Sequence, residues 1–111
     1  LAGHVMTVTH TDGFPVVPTD TDALLVGMAE RYDVVVTAGD GVFPLVAMPE
    51  GKPATPGRAL LKTADGSPPD VNFAPPELNG RIGTVDTFTA PSSASLGSVQ
   101  SDANLALELT G

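Results

Sequence analysis

A chain of 111 residues suits one small domain, and its net charge of −8, with five basic residues scattered along it, argues against a nucleic-acid or anionic-membrane partner. It has no cysteine, which excludes disulfides, thiolate catalysis and thiolate-bound metals. Apolar residues make up 41%, but only four Phe and one Tyr are aromatic, so Val and Leu must supply the packing.

Residues 4–11 alternate, with His4, Met6, Val8 and His10 on one strand face. Asp12-Gly13 is a turn signal, and Phe14–Val17 completes a hairpin whose prolines confine it to a sheet edge. Thr19–Asp22 reads as a polar connector. Ala23–Val26 is a short apolar strand, Gly27–Glu30 a corner, and Arg31–Thr37 a strand. Gly27 and the β-branched flanks argue against a helix over Asp20–Tyr32. After the glycine turn at residues 38–41, Val42–Met48 is the return strand, with Phe43, Leu45 and Ala47 sharing a face. Short strands at this spacing predict an all-β, antiparallel sandwich or barrel.

The character changes after Pro49. Pro49–Gly57 is a proline-rich loop, Arg58–Thr63 a strand, and Ala64–Arg81 irregular. Ile82–Asn104, rich in Ser, Thr, Gly and Ala, reads as a linker or covering segment. Leu105–Thr110 alternates Leu105, Leu107 and Leu109 on one face and predicts a strand. A stretch of ~40 residues without a strong element is more natural between domains than inside one. The expected organisation is therefore residues 1–63, 64–104 and 105–111, with the last the first strand of a neighbour. No run approaches the ~18 apolar residues of a membrane span.

No candidate site assembles. His4 and His10, six residues apart on a strand, lie about 20 Å from each other and cannot share a metal. Asp20 and Asp22, with Asp12 as a third carboxylate, lack the glycine and glutamate offsets of a calcium loop. Glu30, Arg31 and Asp33 flank Tyr32 at a corner, where Arg31 is expected to pair with a carboxylate and Tyr32 to anchor the turn. Gly39-Asp40-Gly41 has no following helix or Lys-Ser/Thr, so it is no phosphate loop. Pro91–Ser98 contains no G-x-S-x-G elbow. Met6, Met28 and Met48 are too dispersed for a soft-metal site and are expected as core filler. No residue is assigned a catalytic, cofactor-binding or metal-binding role.

Gly3-His4-x-Met6-x-Val8, Asp12-Gly13-x-Pro15-Val16, Leu24-Leu25-Val26-Gly27 and Ala29-Glu30-Arg31-Tyr32-Asp33-Val34 stand in that order. The series, with Phe43-x-Leu45 after it, resembles the middle cupredoxin-like domain of multicopper oxidases, the laccase-like family. The resemblance covers roughly residues 1–62, and Leu105–Gly111 looks like the opening strand of the family's last domain. It implies a cupredoxin-like Greek-key fold, incomplete in these residues. It implies a parent that oxidises phenols, amines or metal ions and reduces dioxygen to water with copper. The family's copper ligands are a cysteine, histidines from paired H-x-H motifs, and often a methionine. This chain has two histidines, no H-x-H and no cysteine, so no ligand position carries over. The implied partners are the remaining cupredoxin domains of the same polypeptide, or a second copy in a homo-oligomer. The implied location is extracytoplasmic or secreted. The alternative is a free-standing β-sandwich binding module without redox chemistry.

Overall fold

A computed structural model describes residues 1–95 and 97–108. The chain is mostly β. Among the described residues seven strands run β1 (Met6–Thr11), β2 (Phe14–Thr21), β3 (Ala23–Leu24), β4 (Tyr32–Val35), β5 (Val42–Ala47), β6 (Gly57–Lys62) and β7 (Ile82–Gly83). The helical turns among the described residues are short 3-10 turns, at Pro76–Asn79, Val85–Thr87 and Ser92–Ala94.

The β1–β2 hairpin forms where the alternation and the Asp-Gly pair place it. Asp12 and Gly13 both take positive φ, 50° and 85°, as a tight hairpin turn requires. The hairpin pairs Thr11 with Phe14 and runs back to Met6 opposite Thr21, with the register shifting where Thr9 faces the three β2 residues Val16, Val17 and Pro18. Proline-bearing β2 lies at the edge of the sheet, in the order β2-β1-β4. Strand β2 continues through Thr21, so most of the expected connector is strand. Its residues find partners in Met6, Thr7 and Val8.

Three expectations are corrected. The apolar run Ala23–Val26 keeps only two strand residues, because its partner is the equally short β7, paired in parallel. The return strand β5 does not pair with β4. It pairs antiparallel with β6, Val42 opposite Lys62 through Ala47 opposite Gly57. Residues 105–108 form no strand, with Leu105 and Leu107 exposed and without a partner to pair against. Leu109 and Thr110, the rest of that expected strand, lie outside the described residues.

The core sits against one face of β1. Ala2, His4, Met6 and Val8 alternate into it, joined by Val16, Thr21 and Val46. It is thin. Val26, Val35, Leu45 and Leu60 are each about half exposed or more. Of the three methionines only Met6 is core filler: Met28 is 100% exposed at the corner and Met48 half exposed. The Cα radius of gyration is 18.3 Å, against about 13 Å for a compact domain of this length. The all-β architecture, with its small antiparallel sheets, is that of an incomplete cupredoxin-like domain.

Candidate functional site: three polar locks

The polar residues that sequence reading singled out fall into separate places. His4 is 7% exposed just ahead of β1. Its Nδ1 lies 2.7 Å from the Ala2 carbonyl, and its Nε2 accepts from the Gly39 N–H at 3.0 Å. Only the tautomer with the proton on Nδ1 satisfies both. The ring packs edge-on against Phe43, with centroids 4.4 Å apart. Thr63, just beyond β6, closes the same turn from the other side. Its hydroxyl donates to the carbonyls of Gly39 and Gly41 and accepts from the Gly41 N–H. The glycine turn is thus held by protein groups on both sides.

The second lock is the corner before β4. Ala29 adopts a positive φ of 67°, a conformation that costs a non-glycine residue about 1–2 kcal/mol. Glu30 holds it by accepting from the Gly27 N–H at 2.7 Å and from the Tyr32 hydroxyl at 3.3 Å. Arg31 pairs with Asp12 of the hairpin turn. Its backbone N–H donates to Asp12 Oδ1 at 3.0 Å, and its guanidinium lies 3.6 Å from the same oxygen. Tyr32 rests against Phe88, centroids 5.6 Å apart. Burial, and then the neighbouring Glu30, raise the Tyr32 pKa above its usual value. These are the anchoring roles expected of Arg31 and Tyr32. Asp33 turns away from the group, 3.8 Å from His10.

The third lock was not visible in the sequence. Asp20 and Asp22 diverge: Asp20 accepts from the Thr7 hydroxyl, and Asp22 receives Arg81, 59 residues on. The Arg81 guanidinium makes two bonds to Asp22, at 3.0 and 2.7 Å, and the Arg81 backbone N–H adds a third at 2.8 Å. The Arg81 carbonyl accepts in return from the Asp22 N–H at 2.9 Å. The guanidinium bonds, with the backbone N–H second, bring the Asp22 pKa from its ordinary 3.8 to about 2. Glu77 closes the segment at its other end, taking the Gly3 N–H at 2.7 Å on Oε1. The one available sequence signal was that Arg81 is the sole basic residue after Lys62.

None of these groupings suits copper. His4 has both nitrogens engaged by the backbone. His10 lies at the far end of β1, beside Thr9 and Asp33. Among the described residues no group of three His, Cys, Asp or Glu could hold a metal ion. The family's copper chemistry therefore does not fit the residues present, and no reaction step is derived through it.

The family model that matches the chain is that of multicopper oxidases, over residues 1–64. The multicopper oxidase MmcO of Mycobacterium tuberculosis is 63% identical over all 111 residues, which make up 22% of that protein. Laccase-2 of Botryotinia fuckeliana is 51% identical over 35 residues, 32% of this chain and 6% of that protein. The oxidoreductase GME11365 of Pestalotiopsis microspora is 53% identical over 36 residues, again 32% and 6%. No solved structure matches. The chain thus spans about a fifth of the length of the first of these relatives. With the model matched over more than half its length, the chain belongs to the multicopper oxidase family.

Proposed function

We propose that these 111 residues are a non-catalytic, structural part of a longer multicopper oxidase. Residues 1–63 form most of its middle cupredoxin-like domain, 64–104 the passage out of that domain, and 105–111 the opening of the next, which becomes its first strand when paired with the strands of that domain. The segment spaces the flanking domains so that copper ligands carried by them can meet, and it lends walls to the cleft between them. The parent oxidises phenols, amines or metal ions and reduces dioxygen to water. It works outside the cytoplasm, and the partners of this segment are the other domains of the same polypeptide.

The observation that carries this reading is the fate of the histidines. The likeness to MmcO runs the whole length of the chain. Yet the chain's two histidines lie apart, and one is consumed by backbone hydrogen bonds. A segment so similar to a copper oxidase and so poor in copper ligands serves the enzyme by position.

The test is made on the product of the full reading frame. It should bind copper and absorb near ~600 nm, as a thiolate-bound type 1 site does. The single variants His10→Gln and His4→Gln should keep the copper content of the parent. Loss of copper from a folded His10→Gln protein would overturn the structural role, and a product of the full frame that takes up no copper would overturn the oxidase reading.

A further inference from the structure

The described strands fall into three separate small sheets, β2-β1-β4, β3-β7 and β5-β6. Residues 70–89 touch all three. At one end the Arg58 guanidinium of β6 donates to the Phe73 carbonyl at 2.8 Å. Asp70 shapes that turn, accepting the Asn72 N–H at 2.7 Å on its carboxylate and the Phe73 N–H at 2.9 Å on its carbonyl. Glu77 then takes the Gly3 N–H, and Asp22 takes Arg81 just ahead of β7, which lies beside β3. At the far end the Phe88 ring rests against Tyr32 of β4, and the Thr89 carbonyl accepts the Val17 N–H of β2 at 2.9 Å. Thr89 thereby covers a donor on the edge strand, between Pro15 and Pro18, which have none.

The seat is too close for any residue but glycine at two points. A Cβ at Gly80 would lie 2.7 Å from the Asp22 carboxylate and 2.8 Å from the Asp22 Cβ, and one at Gly83 would lie 2.7 Å from Phe88 and 2.8 Å from Thr21. Between β7 and Phe88, Thr84 and Thr87 cap a 3-10 turn reciprocally, which fixes the direction in which Phe88 leaves. The bonding changes beyond Thr89. Among the described residues, the hydrogen bonds made by residues 91–104 reach no more than three positions along the chain.

We infer that residues 70–89 are a strap that binds the three sheets together and comes free only as a unit, so that the passage to the next domain begins after Thr89. The inference rests on the reading of the chain as part of a longer oxidase and divides its passage segment into a docked part and a remainder. Release as a unit follows from the energetics. Fixing each residue of the strap costs backbone entropy. The contacts that offset it are mostly exposed single hydrogen bonds of small net value, and none alone holds the segment. Made together they do, and the loss of one weakens the rest.

Arg81 offers the readout, because trypsin cuts after it and it is the sole basic residue after Lys62. In the folded, full-length parent the Arg81–Ile82 bond should be cut at least ~10-fold more slowly than in a synthetic peptide of residues 72–90, as read by mass spectrometry at early times. Arg58→Met and Phe88→Ala each remove one contact, at opposite ends of the strap and away from the Asp22–Arg81 pair. Each should speed that cut several-fold. Each should also speed amide exchange at a distant contact: Val17 in Arg58→Met, Gly3 in Phe88→Ala. Arg58 is exposed, so Arg58→Met keeps the fold even where Phe88→Ala loses it. Cleavage after Arg81 at the peptide's rate would overturn the strap. So would cleavage that is slow in the parent and stays slow in both variants, since the protection would then come from elsewhere. A gain at Arg81 with Val17 and Gly3 unmoved would mean independent contacts and would overturn release as a unit. Copper content of the same preparation separates the two readings. A copper-loaded protein cut at the peptide's rate overturns the strap alone. A protected strap in a protein that takes up no copper overturns the oxidase reading and upholds the strap.

Discussion

His4→Phe separates a structural histidine from a ligand. Phe keeps the ring and its edge-on contact with Phe43, but it removes both nitrogens. The two bonds lost are unequal. The Ala2 carbonyl belongs to a buried residue and lies 2.7 Å from Nδ1. Left without its donor it costs about 1–3 kcal/mol. The Gly39 N–H belongs to an exposed turn and can turn to water, so its loss costs only the net worth of a hydrogen bond, about 0.5–1.5 kcal/mol. The sum is about 1.5–4.5 kcal/mol. His4→Ala should cost more, because it also opens a cavity beside Phe43 and forfeits the ring contact. The assay is hydrogen exchange in the full-length protein, read at the Gly39 amide, with copper content measured on the same samples. Exchange at Gly39 should be faster in both variants, and copper should not change in folded His4→Phe. Gly39 protection as strong in His4→Phe as in the parent would refute the claim that His4 holds this turn. A fall in copper with the fold intact would refute its being purely structural.

Four further outcomes are expected. Asp22 should titrate near about 2 in a carboxyl NMR titration. Because its folded pKa lies below the unfolded one, the pair's stabilisation is present above the ordinary carboxylate range and is lost as pH falls through that value; Arg81→Gln should return the titration to the ordinary range. The Tyr32 phenol, raised first by burial and then by Glu30, should ionise at lower pH in Glu30→Gln, as read by phenolate absorbance. Its raised pKa means that its contribution is complete at neutral pH and is lost as pH rises through the folded value. Gly83→Ala would set a Cβ 2.7 Å from Phe88, 2.8 Å from Thr21 and 2.9 Å from Leu24. It should destabilise by about 1–3 kcal/mol in urea unfolding and raise exchange at the Leu25 amide. Ala29→Gly should stabilise by about 1 kcal/mol in the same assay, because glycine takes the positive φ at that corner without strain.

The hairpin was legible because its signals are local: alternation along residues 4–11 and an Asp-Gly pair at the turn. The corner was legible for the same reason, since Gly27, Glu30, Arg31 and Tyr32 lie within six residues and their bonds reach neighbours or the adjacent hairpin turn. Pairings between distant segments were not. The β5–β6 hairpin defeats the expected return along β4 because strand alternation fixes a face and not a partner. The Asp22–Arg81 lock was hidden because nothing in a D-x-D pair says that one carboxylate will meet an arginine 59 residues later. An apolar run does not say how deeply it is covered: Leu25, Val26 and Val35 lie in the runs read as strands and are 43–59% exposed, because among the described residues they find little to pack against.

Where the core is thin, directional contacts between distant segments help to hold the order, and three side-chain contacts span furthest toward the chain's start. Gly3 to Glu77 spans 74 residues, Asp22 to Arg81 spans 59, and His4 to Gly39 spans 35. Each is polar and directional, so it fixes geometry more than it adds net stability. Two of them act on one segment. Glu77 and Arg81 hold residues 76–83 against the chain's start and the beginning of β3, which sets β7 beside β3. Arg81→Gln should therefore be felt in two ways. The Asp22 carboxyl regains its ordinary titration, and β7 loses its fixed place beside β3. In the full-length protein the second effect would appear as faster amide exchange at Leu25, whose N–H donates to the Gly83 carbonyl at 2.9 Å. A change confined to Asp22, with Leu25 exchange unmoved, would mean that the Asp22–Arg81 pair does not position β7 beside β3.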